Sequence, residues 1–322
     1  VSGATAFRLP LTIGPILVTG GAGFIGRALT QALVAEGHQV VVSDLRLPDE
    51  AQRVTGATYV QNDVRDGAAV MSLVEAQGIA AIVHLAALVI PACRKDPMLG
   101  AEVNVLGHIN LLEAARRAGI RRLVYTSSLA ARPRGPLDSP ANLYGVYKAA
   151  CEDISKVYLM DHGLPSVGLR PNVVYGPGRV EGETAAISLA MRAAARGERF
   201  EIPFTGRMCF QHVDEVIEIF KRSLAAENET AVVSDLTTEV HSIDDVLAAI
   251  RACVPEADVH AAPSLRAAPD GLDNNPLRRL LGSWKSVSLA EGTARTIARC
   301  REAVVAGPLR KVLKDRTGIR RQ

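Results

Sequence analysis

The stretch Ile16–Arg27, ILVTGGAGFIGR, constrains this chain more than any other. A short apolar run, Ile16–Val18, leads through Thr19 into glycines at 20, 23 and 26. Phe24, Ile25, Leu29, Leu33 and Val34 then follow at helical spacing. Strand, glycine turn and helix in that order are the context in which such a pattern signals dinucleotide binding. Gly20 allows a sharp turn off the strand, Gly23 lets the backbone approach a pyrophosphate, and Gly26 lets the helix sit close on the sheet. Free N–H groups at the helix start, the positive end of its dipole, then hold the phosphates. Asp44 closes the next strand-like run, 38–43, near the spacing of about twenty residues at which an acid meets the ribose hydroxyls.

The rest of the first half alternates. Strands are expected at 57–61, 80–85, 122–127 and 166–170. Helices are expected around Val70–Val74, at 99–118 closed by Gly119, and at 141–162 closed by Gly163. Such alternation with short loops means right-handed βαβ units, hence an α/β fold with a doubly wound parallel sheet. Beyond Pro171 the texture loosens. Helices are expected at 184–196, 213–225, 243–253 and 289–304, an extended piece at 200–204, and one more strand at 232–234. The expected division is a flexible lead-in over 1–14, a dinucleotide-binding domain over 15–171, and a smaller substrate-binding lobe over 172–305 interleaved with the end of the sheet. A basic tail over 306–322 is read as solvated, or else as an anion-binding arm.

Composition narrows the function classes. The formal charge of +3 is too small for an electrostatic footprint on nucleic acid or a membrane surface, and neither is expected as a partner. No apolar run reaches the roughly eighteen residues of a membrane span. The five cysteines (93, 151, 209, 253 and 300) form no CxxC pair and read as reduced thiols of a cytoplasmic protein. The seven histidines follow no ligand spacing, so no metal is expected.

Tyr144 and Lys148 stand four apart, which on a helix places them on one face a turn apart. They lie one helix after a strand ending in Thr126–Ser127–Ser128, at the carboxyl edge where parallel sheets bind ligands. With these marks, the chain resembles the extended short-chain dehydrogenase/reductases, the family of NAD-dependent sugar epimerases and dehydratases. The resemblance rests on the 19–26 turn, Asp63–Val64, His84–Ala87, Asn104–Val105 with Gly107, and Ser127–Ser128. It continues through Tyr144 and Lys148, Arg170–Pro171, Tyr175–Pro177 and Val213–Asp214, spread over about 200 residues. It implies a Rossmann domain with a smaller C-terminal substrate-binding lobe, NAD as cofactor, and a small sugar-type substrate. It also implies a homodimer built on the 99–118 and 141–162 helices.

The resemblance also implies roles. Tyr144 would be the general base, Lys148 would lower its pKa and hold the nicotinamide ribose, and Ser128 would bond the reacting oxygen, with Ser127 nearer the cofactor. Asp44 would take the adenosine ribose hydroxyls and favour NAD over NADP, with Leu45 beside it, unless Arg46, two residues on, reaches a 2′-phosphate. Asp63 and Val64 would flank the adenine, unless Asp63 caps the next helix. Leu85, Ala86 and Ala87 would line the cofactor, together with Gly20, Gly23, Phe24, Ile25 and Gly26. Asn104 would join them, unless it is only a buried helix–loop link. Pro171 and Asn172 would face the carboxamide.

Departures from the family pattern limit the reaction. Leu129–Ala130 stand where dehydratases place Asp-Glu, and neither transfers a proton. Val173 stands where nucleotide-sugar enzymes use an Asn, and Met208 where they carry a diphosphate-binding arginine. Two handles for a nucleotide diphosphate are thus missing, which points to a free sugar, a sugar acid or a related hydroxy compound. Arg179, Arg207 and His212 are candidates to meet it, each with a salt-bridged or solvent-facing role as the plainer reading. Trp284 is expected in the core of the small lobe. Three readings follow: an NAD-dependent dehydrogenase, an NAD-retaining epimerase such as a UDP-sugar 4-epimerase, or an NAD-binding sensor or scaffold without catalysis.

Overall fold

The computed structural model describes residues 7–10, 12–133, 137–237, 239–266 and 271–316; within its last helix the side chains beyond 302 are not described. Seven strands form one wholly parallel sheet. Across the sheet they run Ala231–Asp235, Ser166–Arg170, Arg122–Thr126, Ala81–His84, Ile16–Thr19, Val40–Asp44 and Thr58–Gln61. Ile16–Thr19, Ala81–His84 and Val40–Val42 are buried throughout, as strands covered on both faces must be. The strand expected at 232–234 thus becomes an edge of this sheet, in register with Ser166–Arg170. The order reverses at Ile16–Thr19, which pairs Thr19 with Ser43 on one side and with His84 on the other. At that switch point connections leave to opposite sides and open a crevice at the carboxyl edge.

The chain divides into two compact units. The first takes its described residues from Val1–Asn172, Val213–Thr238 and Pro269–Ser286 and holds the large sheet. One of its cores lies between sheet and helices, built on Leu17, Ile82, Leu111, Leu112, Leu123 and Tyr125. The second comprises Val173–His212, Glu239–Ala268 and Val287 onward. It carries three two-stranded sheets around a core that includes Tyr175, Ile187, Met191, Phe210 and Ile250.

Several elements depart from the sequence reading. The helix expected at 99–118 begins at Pro97, capped by the Asp96 carboxylate on Leu99 N–H at 3.0 Å, and widens into a π turn over Glu102–Leu106 before Gly107–Arg117. Short helices at Ile90–Lys95 and Asn275–Leu281 have too few turns to leave a period in the sequence. In the lead-in, Leu9 and Ile13 are buried, and Leu9 N–H donates to Glu36 at 3.1 Å. Residues 7–10 and 12–14 are therefore anchored rather than flexible, while 1–6 and 11 lie outside the described residues. The last helix, Leu289–Arg316, runs into the basic tail, whose side chains and last six residues lie outside them too.

Candidate active site

The glycine turn is shaped by close approach. Gly20 has φ +65°, and a Cβ there would stand 2.6 Å from Ala86 N. A Cβ on Gly26 would stand 2.5 Å from Gly21 Cα, so Gly26 packs on the turn's own backbone rather than on the sheet. Gly21, which the sequence reading passed over, is equally confined, by Val42 Cγ1 at 2.7 Å and Val18 O at 2.8 Å. Gly23 is the N-cap of the helix Phe24–Ala35, and no side chain caps it there. The helix dipole is thus available to an anion. Leu85 N–H bonds Thr19 O at 3.0 Å, which brings the Leu85–Ala87 loop beside the turn at the switch point.

Asp44 ends its strand and accepts from Ala22 N–H in the glycine turn at 3.1 Å and from Arg46 N–H at 3.4 Å. Both carboxylate oxygens keep a lone pair for a further donor. Leu45 is exposed, and so is Arg46. Asp63 is gripped by Arg65, whose Nε lies 3.1 and 3.0 Å from its two oxygens, and this hydrogen bonding holds its carboxyl below the usual range. The helix cap here is Asp66, on Ala69 N–H at 2.9 Å, and Val64 is buried beside it in sequence. Asn104 is buried in the π turn and donates through Nδ2 to Gly100 O at 2.9 Å and Leu88 O at 3.1 Å. This is the helix–loop link that the sequence left open.

The helix Leu143–His162 carries Tyr144 and Lys148. Asn142 caps it through Gly145 N–H at 2.9 Å. A Cβ on Gly145 would lie 2.9 Å from both the carbonyl carbon of Ala130 and Pro140 Cβ, and closer still to the Ala130 oxygen. Glycine at this one position therefore lets the first turn press against the Ser128–Ala131 loop and bring Tyr144 up to Ser128. Ser128 accepts from Ala130 N–H at 3.1 Å and stands near enough to the Tyr144 phenol to lower its pKa. Burial pushes that phenol up to about 12, and Ser128 pulls against the rise. Lys148 is buried, its pKa lowered chiefly by burial; Nζ donates to Thr126 O at 2.7 Å and lies 5.8 Å from the centre of the Tyr144 ring. Ser127 is buried, and its hydroxyl is turned onto Glu152.

Pro171 O accepts from Leu129 N–H at 3.2 Å, joining the strand end to the Ser128 loop. Asn172 Nδ2 is buried with no hydrogen-bond partner among the described residues. An orphaned amide donor costs about 1–3 kcal/mol, so it fits a site that receives a carbonyl from a ligand. With the confined glycines, the free helix N-terminus and Asp44, this donor set suits a dinucleotide.

The substrate candidates sit in the second unit. Val173 belongs to that unit's hydrophobic core, and His212 is buried edge-on to Tyr175 at 5.4 Å. Every residue of Val173–Tyr175 and Phe210–His212 is buried, so no polar–apolar alternation marks an inner face in the sequence. Arg207 is exposed, 3.4 Å from Val240 O. Arg179 donates to Val174 O and to Thr184 Oγ1 and is lowered to about 10 by burial. Met208, in the place of the missing arginine, is buried. Trp284 belongs to the first unit, not the small lobe; Nε1 donates to Glu215 at 3.2 Å and Arg278 faces the ring at 4.9 Å. No group of three or more His, Cys, Asp or Glu among the described residues could hold a metal ion, and no helix there is long and apolar enough to cross a membrane.

Comparison with known proteins adds to this geometry. Residues 16–234 match the profile of the NAD dependent epimerase/dehydratase family. A UDP-glucose 4-epimerase of Mycolicibacterium smegmatis is 30% identical, over 87% of this chain and 96% of its own length. A 3-diazoavenalumate denitrifying reductase of a Streptomyces species is 32% identical, over 94% and 99%. Among solved structures, a UDP-glucose 4-epimerase of Thermus thermophilus in complex with NAD superposes with a TM-score of 0.74 at 28% identity, covering 90% of this chain and 99% of that one.

Proposed function

The chain belongs to the NAD dependent epimerase/dehydratase family and is an NAD-dependent enzyme of the extended short-chain dehydrogenase/reductase type; from that premise we propose that it oxidises a hydroxyl carbon of a small sugar, sugar acid or related hydroxy compound. The observation that carries the reading is the Ser128–Tyr144–Lys148 grouping, with the Lys148 ammonium held on Thr126 O and 5.8 Å from the centre of the Tyr144 ring. NAD, when bound, supplies the hydride acceptor. Gly20, Gly23 and the helix start would hold its phosphates, Asp44 its ribose hydroxyls and Asn172 its carboxamide. Ser128 would donate to the substrate oxygen and orient its proton toward Tyr144. Tyr144, as phenolate, would take that proton, and Lys148, fixed on Thr126 O, would stabilise the phenolate charge.

A small substrate is supported by buried Met208 and core-packed Val173, which leave two positions without the polar groups that a nucleotide diphosphate needs. Arg179 and Arg207 remain the candidates to meet a carboxylate or hydroxyls. The second reading, an epimerase that keeps its NAD, is favoured by the likeness to UDP-glucose 4-epimerases across nearly their whole length. We read the protein further as a cytoplasmic homodimer. Its five cysteines are free, and Met98, Leu106, Val146, Val157 and Met160 are exposed on the two helical segments that the family resemblance assigns to the interface. A monomer by light scattering at micromolar concentration would end the dimer reading.

The deciding experiment incubates purified protein with NAD and a panel of free sugars, sugar acids and UDP-sugars. Reduced nicotinamide appearing with a non-nucleotide compound supports the dehydrogenase. An interconverted UDP-sugar without added cofactor would make it an epimerase instead.

A further inference from the structure

Three neighbouring strands of the large sheet end on one ionic network. Arg170 closes Ser166–Arg170, Asp235 closes Ala231–Asp235, and Ser127 directly follows Arg122–Thr126. The side chains of Arg170 and Ser127 meet Glu152, which lies on the Tyr144–Lys148 helix one turn beyond Lys148. Arg170 grips the Glu152 carboxylate through Nε at 2.7 Å and Nη2 at 2.5 Å, and the Ser127 hydroxyl donates to the same carboxylate. Arg170 also faces Asp235 at 3.6 Å, and Asp235 in turn holds Arg132, beyond the Ser128 loop, at 2.6 Å. The Glu152 side chain is 4% exposed and that of Asp235 1%, so these charges are out of water. A buried ion pair is weak support for stability, because desolvation offsets the attraction. The direction of the contacts matters more. Lys148 bonds Thr126 O and Glu152 receives Ser127, so successive turns of one helix grasp successive residues of the strand end that delivers Ser128.

We propose that Glu152, held by Arg170, is a positioning residue: through the Ser127 hydroxyl it fixes the Thr126–Ser128 segment against the helix carrying Tyr144 and Lys148. This assignment rests on Tyr144 being the base. Without the clamp the strand end would shift, Ser128 would lose its line to the phenol, and Lys148 would lose the carbonyl that aims its ammonium.

The test uses NAD-loaded full-length protein and needs no substrate. Tyrosinate formation is followed by ultraviolet difference spectroscopy against pH, with Tyr144→Phe as the reference that isolates this tyrosine from the other five. The variant is Glu152→Gln with Arg170→Met, which removes one negative and one positive charge together and leaves the local net charge unchanged. The Tyr144 titration is expected to move upward by about one pH unit, a tenfold loss of phenolate, with the NAD dissociation constant within about threefold of wild type. Should that variant not fold, Ser127→Ala removes only the hydroxyl contact and should move the titration the same way with the melting temperature nearly unchanged. A lowered melting temperature with the titration in place would mean a purely structural pair and overturns the proposal. A titration curve unaltered by Tyr144→Phe would instead refute the base reading, and the proposal would fall with it.

Discussion

The Lys148 ammonium donates to the carbonyl oxygen of Thr126 at 2.7 Å, so the cation beside Tyr144 is fixed by the backbone of the strand end that presents Ser128. One helix and one strand terminus thereby hold Tyr144, Lys148 and Ser128 in a single frame.

That frame sets a pH dependence. Burial raises Tyr144 to about 12 in the cofactor-free protein, and the base must be the phenolate, so activity should rise with pH along an acid limb. The buried ammonium, 5.8 Å from the ring centre, favours the phenolate. Lys148→Met should therefore move the acid limb of kcat/KM upward by about one unit or more. A profile that stays in place would show that Lys148 does not act on the base.

Gly145→Ala should be far more harmful than a helix propensity suggests. Alanine favours a helix by about 1 kcal/mol over glycine, yet its Cβ would collide with Ala130 and Pro140. We expect kcat to fall at least about tenfold through displacement of Tyr144 from Ser128, with NAD affinity changing much less, because the glycine turn is untouched. Paired calorimetric and steady-state measurements separate the two effects.

Asp44→Ser should relax the choice of cofactor. The carboxylate, held by Ala22 N–H, would repel a 2′-phosphate and accept from free ribose hydroxyls. Loss of the charge, with Arg46 two residues on, should cut the ratio of NAD to NADP affinity at least about tenfold. Isothermal titration with each dinucleotide reads it directly; an unchanged ratio would place discrimination elsewhere.

Acid sensitivity should come from a buried histidine pair. His84 and His108 stack at 5.5 Å, with Thr19 Oγ1 on the first and Ser155 Oγ on the second, and burial lowers His108 to about 3. The unfolded chain takes a proton near ~6.5 and the folded one does not. The stability this neutral state preserves is therefore complete above that value. It is lost as pH falls toward 3, at about 1.4 kcal/mol per pH unit for His108 alone. Urea midpoints at pH 7 and pH 5 should show the decline, and His108→Gln should flatten it.

The alternation of strands and helices, the glycine turn with Asp44, and Tyr144 four residues before Lys148 were legible in the sequence, because each depends on backbone periodicity over a few residues. Short-range spacing also foretold the left-handed glycines at 119 and 163 that end two helices. Tertiary structure alone decided the rest. Ser127 meets Glu152 across 25 residues, and Arg132 meets Asp235 across 103. Val173 and His212 turn into a core, Trp284 joins the larger unit, and Gly145 owes its necessity to Ala130 pressing on it. None of these leaves a local period, since each is set by which distant segment the folded chain brings alongside. The sequence by itself determined which chemical groups this protein possesses and in what order. The packing of strand ends against one helix decided which of them stand together.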